Sequence, residues 1–171
     1  SLMIFSPIVH AEETKGIELT VTIRLSGSPP TDDQDYEIIF EAEDPNYPMP
    51  EGSENGVYVI KVTGEDSIKL PEIRYSSIGI YTYNIYQLEG DNELVDYDDA
   101  IYNIVVYVTH AEDGSGLETT VLAYLLGEES RKIDEIVFDS VYEEEPPLPP
   151  EDPKPPQTSD DTVIWPYVGL F

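Results

Sequence analysis

The side chains able to do chemistry in this chain are overwhelmingly carboxylates. Thirty-six Asp and Glu stand against eight Lys and Arg, for a formal net charge of -28 over 171 residues. Three acidic clusters stand out: Asp32, Asp33 and Asp35; Asp91, Asn92 and Glu93; Asp96, Asp98 and Asp99. Calcium takes about six to eight oxygens at defined spacing. No D-x-(D/N)-x-(D/N)-G loop occurs, so the clusters read as chance neighbours in an acid-rich chain. His10 and His110 make no pair for a metal site or a triad. There is no cysteine, which excludes disulfides and thiolate sites. Ser76 and Ser77 lack the G-x-S-x-G setting of an activated serine. No carboxylate pair sits in an apolar stretch that would tune one member as an acid. The expectation is a chain that is not an enzyme, with no metal and no cofactor.

Charge also narrows the partners. A surface this acidic repels phosphate backbones, which argues against nucleic acid. It offers no polybasic patch to anionic lipid. The 13 Tyr outnumber the 4 Phe and single Trp, and Tyr suits half-buried sheet positions where the ring packs and the hydroxyl stays near water. Tyr36, Tyr58, Tyr75, Tyr86 and Tyr107 are read as sandwich packing in preference to an exposed ligand patch.

The elements that must position these groups are strands. Tyr81, Tyr83 and Ile85 recur at every second position, as do Tyr102, Ile104, Val106 and Val108. A period of two means one packed face and one solvated face, so residues 79–109 read as an antiparallel hairpin. Eight strands are expected: Ile17–Leu25, Tyr36–Ala42, Val57–Val62, Ser67–Leu70, Gly79–Leu88, Ile101–Thr109, Leu117–Leu126 and Lys132–Tyr142. Gly-, Pro- and Asp-rich turns separate them. No run of apolar residues has helical spacing, and no internal repeat appears. The fold class is therefore all-β, a single Ig-like antiparallel β-sandwich over residues 17–143.

The hairpin residues Gly79, Tyr81, Tyr83, Ile85 and Gln87, followed by Tyr97, Asp98, Tyr102, Ile104, Val106 and Val108, resemble the pilin isopeptide-linkage domain of Gram-positive surface proteins. The first strand IELTVTIRL and the last strand IVFDSVY resemble the family's terminal strands as well. The resemblance implies a cross-link in which a first-strand Lys attacks a last-strand Asn, assisted by a Glu. Burial lowers the amine pKa and raises the carboxyl pKa, and proximity does much of the rest. Those three positions fall on Ile23, Gln87 and Ser140. None of them can react in that way. Arg24 stays charged, Asp139 points to the opposite face from Ser140, and Lys15, Lys61, Lys69, Lys132 and Lys154 lie off the inward phase of the first strand. The expected arrangement is an apolar Ile23 contact beside a hydrogen-bonded Gln87 and Ser140, with no isopeptide bond. Lys61, in VYVIKVTG, is a candidate acceptor amine for sortase-made polymers.

The two ends complete the expectation. Residues 1–11 read as the remnant of a secretory signal, with Val9-His10-Ala11 as the cleavage site. Residues 144–157 form a Pro-rich acidic spacer, stiff because proline fixes φ. Residues 155–171 resemble a sortase sorting signal carried by Pro156, Thr158 and Ser159, leading into the start of a membrane segment. Pro155 stands where that signal has Leu, and Ser159 where it has Gly. The expected role is a structural cell-surface protein, a minor or basal pilin or a wall-anchored stalk module. Its partners would be sortase and peptidoglycan or other pilins, and its place the Gram-positive cell wall. The alternative is an adhesin module that binds a host protein or glycan through loops such as 43–56.

Overall fold

The computed structural model describes residues 15–30 and 33–151. The expected signal remnant, His10, Asp32, Lys154, and the sorting residues Pro156, Thr158 and Ser159 lie outside the described residues. Twelve strands are present among those described, and no helix.

Six strands form the larger sheet. In spatial order they are β11 (Glu128–Ile133), β10 (Leu117–Leu125), β9 (Ile101–His110), β7 (Gly79–Gln87), β3 (Asp35–Ala42) and β4 (Val57–Thr63). A second sheet runs β5 (Asp66–Lys69), β2 (Thr20–Gly27), β12 (Ile136–Tyr142) and β8 (Val95–Asp96). A two-stranded ribbon pairs β1 (Lys15–Ile17) with β6 (Ile73–Tyr75). All pairings are antiparallel except one: β2 and β12, the opening and closing strands of the second sheet, lie parallel.

Alternation along β7, β9 and β12 builds much of the core. On β12, Ile136, Phe138, Ser140 and Tyr142 are buried while Asp139 and Val141 face water. On β2, Val21 and Ile23 are fully buried. On the larger sheet, Ile38, Phe40, Tyr83, Ile85, Ile104 and Val106 meet them. Burying such side chains gives about 1.5–3 kcal/mol each before chain entropy is subtracted. At the end of β2, Gly27 has φ +84, and a Cβ there would stand 2.1 Å from the Tyr142 carbonyl oxygen. Only glycine lets the two terminal strands run together that far.

The expected strand boundaries are corrected in three places. The first strand breaks at Glu18–Leu19, so that β1 pairs with β6 while β2 pairs with β5 and β12. The expected strand Ser67–Leu70 is β5, ending at Lys69, and after Pro71, which has no N–H to give a ladder, an unexpected short strand, β6, follows. The expected strand Lys132–Tyr142 breaks at Asp134–Glu135. Its first two residues close β11, a strand that starts at Glu128 after Gly127 (φ 92) and pairs with β10 as a hairpin, and the rest, from Ile136, crosses to the other sheet. The strands expected to form a hairpin over 79–109 do pair antiparallel, and the structure sets their register, with Tyr81 opposite Val106, Tyr83 opposite Ile104 and Ile85 opposite Tyr102. Its connection is no simple turn, because β8 leaves the larger sheet to pair with β12.

Candidate functional site

The site lies where β12 crosses the end of β7. In the parallel register Ile23 is opposite Phe138 and Leu25 is opposite Ser140. Ser140 is 0% exposed and Gln87, the last residue of β7, is 6% exposed. They are the buried polar residues among those described. The structure brings them together across the sandwich. Gln87 Nε2 donates to Ser140 Oγ at 3.1 Å, and the hydroxyl can donate to Gln87 Oε1 at 3.2 Å. Ile23 lies in the same core on the neighbouring strand and brings no polar atom.

The geometry of the pair is that of mutual satisfaction. The pair ties the two sheets together through side-chain contacts alone. Leaving either partner alone in this setting would cost about 1–3 kcal/mol.

Two more polar contacts fasten β12 to the larger sheet. The Tyr102 hydroxyl donates to the Val137 carbonyl at 2.6 Å. The Tyr36 and Tyr142 hydroxyls are hydrogen-bonded to each other in the core. Burial, reinforced by the Tyr142 hydroxyl, raises the Tyr36 phenol well above its ordinary range. Burial also raises the Tyr102 phenol. The fastening role of these three tyrosines is not among the expectations drawn from the sequence. Their signal was present: each sits on the inward phase of its strand, where a buried hydroxyl must find a partner.

A second polar cluster holds the 43–56 loop. The Tyr75 and Tyr83 hydroxyls are 2.9 Å apart, and Tyr83 donates to the Pro48 carbonyl at 2.8 Å. Tyr47 packs edge-on against Tyr81 with ring centroids 5.2 Å apart. Burial pushes the Tyr83 phenol up to about 12. At the loop tip Asn55 (φ 50) and Gly56 (φ 76) make the tight turn into β4, and a Cβ on Gly56 would meet Pro45 Cα at 2.8 Å.

Members of the acidic clusters accept hydrogen bonds from their own turns and from neighbouring strands. Asp98 accepts from the Ala100 and Asp139 amides at 2.9 and 2.8 Å. Asn92 accepts from the Leu94 amide at 3.0 Å, and Asp35 accepts from the Thr63 hydroxyl at 2.7 Å. Among the described residues, no group of three or more His, Cys, Asp and Glu is placed to hold a metal ion. Of the five tyrosines singled out, Tyr36 and Tyr75 are core residues, Tyr58 and Tyr86 are half-buried, and Tyr107 is exposed. Lys61 is exposed on β4, at the sheet edge.

The family model FctA, described as a Spy0128-like isopeptide containing domain, matches residues 14–143. The chain belongs to this family. Solved structures similar to it include the Streptococcus pyogenes major pilin T3.2, at 19% identity and TM-score 0.53, over 75% of this chain and 54% of that one. The S. pyogenes major pilin T-13 is similar at 14% identity and TM-score 0.49, over 74% of this chain and 53% of that one. The pilus-presented adhesin Spy0125 (Cpa) is similar at 14% identity and TM-score 0.35, over 82% of this chain and 29% of that one. The chain thus spans about half the length of the major pilins it matches. No curated protein matches. Within the Spy0128-like family the β-sandwich is the common architecture, and the all-β sheets described above are its form here.

Proposed function

We propose that this chain is a structural module of a Gram-positive surface pilus, without a self-formed isopeptide bond. It would be a minor or basal pilin, or a wall-anchored stalk module. Sortase would act on it, with peptidoglycan or other pilins as its covalent neighbours. The observation that carries the reading is the Gln87–Ser140 contact. It occupies the positions where the family resemblance puts a Glu and an Asn, next to Ile23 where it puts a Lys. A closed hydrogen bond in an apolar core supplies cohesion at that point and leaves nothing to react.

The test is the mass of the folded, denatured and proteolysed protein. The expected result is the full sequence mass, with Gln87 and Ser140 recovered in separate, unmodified peptides. Loss of one ammonia, with peptides from two different strands joined, would refute it. Wall attachment is tested apart from this, by incubating the precursor with its own sortase. Cleavage after Thr158 is expected, and an intact precursor would remove the anchored reading.

One observation favours the adhesin alternative. The 43–56 loop is pinned by Tyr83 and presents an exposed acidic tip at Glu51 and Glu54. Retention of the module on immobilised host protein or glycan, lost on replacing that tip, would favour it over the structural role.

A further inference from the structure

The loop over 43–56 ends in a dipeptide with chemistry of its own. Of the five asparagines in the chain, Asn55 alone precedes glycine; Asn46, Asn84, Asn92 and Asn103 precede Tyr, Ile, Glu and Ile. An asparagine carboxamide can be attacked by the next residue's peptide nitrogen, and glycine leaves that nitrogen unhindered because it has no Cβ. The structure shows what restrains the step. Glu54 and Val57 exchange two backbone hydrogen bonds, 2.9 and 3.0 Å long, around Asn55 (φ 50) and Gly56 (φ 76). This is a two-residue hairpin turn with both central residues left-handed. Its base is fixed too. The Ala42 amide donates to the Gly56 carbonyl at 2.8 Å, and Pro45 lies against Gly56. Asn55 itself is exposed to water.

We propose that Asn55 is a self-modification site whose deamidation is gated by opening of the 43–56 loop. The Gly56 nitrogen bonds to Asn55 Cγ and gives up its proton, the Cγ–Nδ2 bond breaks, and Nδ2 leaves as ammonia. Water then opens the five-membered imide, leaving aspartate or isoaspartate at position 55. The closed turn forbids the first bond. In the left-handed region ψ is about +30 to +60°. Tetrahedral geometry at an L-residue's Cα then sets the Gly56 nitrogen anti to Asn55 Cβ, so no χ1 brings Cγ to it. A planar imide needs the nitrogen and Cβ eclipsed. Cyclisation therefore requires the Asn55–Gly56 peptide to turn over, which breaks the Glu54–Val57 bonds and pulls Gly56 from Pro45. Isoaspartate carries the chain through Cβ, one atom longer, so the same turn cannot close again. Either product adds a carboxylate beside Glu54. None of this depends on the pilus reading.

Timed peptide mapping of the full chain at about pH 8, where the tyrosines stay protonated, tests this. In guanidinium, position 55 should be modified first of the five asparagines, with both products found. In the folded chain its rate should be at least about tenfold lower, because a pinned loop opens only part of the time. Tyr83→Phe removes the hydroxyl that holds Pro48 and should raise the folded rate about fivefold. Ser140→Ala weakens the closing strand instead and should leave the folded rate at the parent's value, since the loop opens without the sandwich. An imide caught before hydrolysis also lacks one ammonia, but within a single unbranched peptide, which separates it from a strand-to-strand bond. Equal rates in folded and denatured chain, a Tyr83→Phe rate no higher than the parent's, or equal acceleration by Tyr83→Phe and Ser140→Ala would overturn the proposal.

Discussion

Two buried polar clusters hold this domain, and they do different work. The Gln87–Ser140 pair, with Tyr102–Val137 and Tyr36–Tyr142 on either side, ties the closing strand to the opposite sheet. The Tyr75–Tyr83–Pro48 cluster ties a surface loop to the end of the sandwich. The first joins elements that close the fold, so its loss is felt by every strand. The second joins an excursion to a frame that stands without it. The contrast is a lesson in how a domain with no disulfide uses polar groups: sparingly, in mutually satisfied pairs, with hydroxyls placed where strands or loops must not drift.

The comparison breaks most visibly at Phe138, fully buried on β12 and packed edge-on against Tyr102. Phe138→Ala should cost about 3–5 kcal/mol in denaturant unfolding, with all probes reporting one transition. Ser140→Ala strands the Gln87 amide and should cost about 1–3 kcal/mol. Gln87→Met with Ser140→Ala removes both polar partners and should recover part of that loss, a coupling that a double-mutant cycle measures. Tyr83→Phe leaves the Pro48 carbonyl and the Tyr75 hydroxyl short of a partner. Its expected cost is about 1 kcal/mol, accompanied by faster protease cutting within 43–56 while the closing strand stays protected. Lys69→Ala removes an exposed ion pair with Glu18, 3.1 Å long, and should change stability by less than about 0.5 kcal/mol.

Alkali sharpens the same contrast. Tyr83 is raised from an ordinary value of 10.0 to about 12, mainly by burial. A phenol raised on folding stays protonated in the folded state where the unfolded chain has already lost its proton. Stability should therefore be level below about pH 10 and fall as pH climbs from about 10 to 12, since the unfolded state then binds fewer protons. Tyr36 and Tyr75 are raised further and add to the same fall. A stability that is flat across that window, measured by denaturant midpoint, would show that these hydroxyls are not held as described.

Much of this was legible from residue order. Period-two alternation identified the inward phase of β7 and β9, and the inward phase that carries Ile23, Gln87 and Ser140. It did not reveal where a strand changes sheets. Ile17, Leu19, Val21 and Ile23 keep one unbroken alternation across a corner, because burial on either sheet looks the same from the sequence. The two-residue strand β8 had no pattern to show, since Val95 alone carries its buried side. The tyrosine contacts were hidden for a related reason: a hydroxyl's partner is set by which strand crosses above it.

The parallel run of β2 beside β12 has a consequence for a chain tugged from both ends. Tension entering at Thr20 and leaving at Tyr142 slides two parallel neighbours past one another. Seven facing residue pairs, from Val21–Ile136 to Gly27–Tyr142, must then give way together. An antiparallel hairpin under the same pull would unzip one rung at a time. The geometry gives shear strength from ordinary hydrogen bonds.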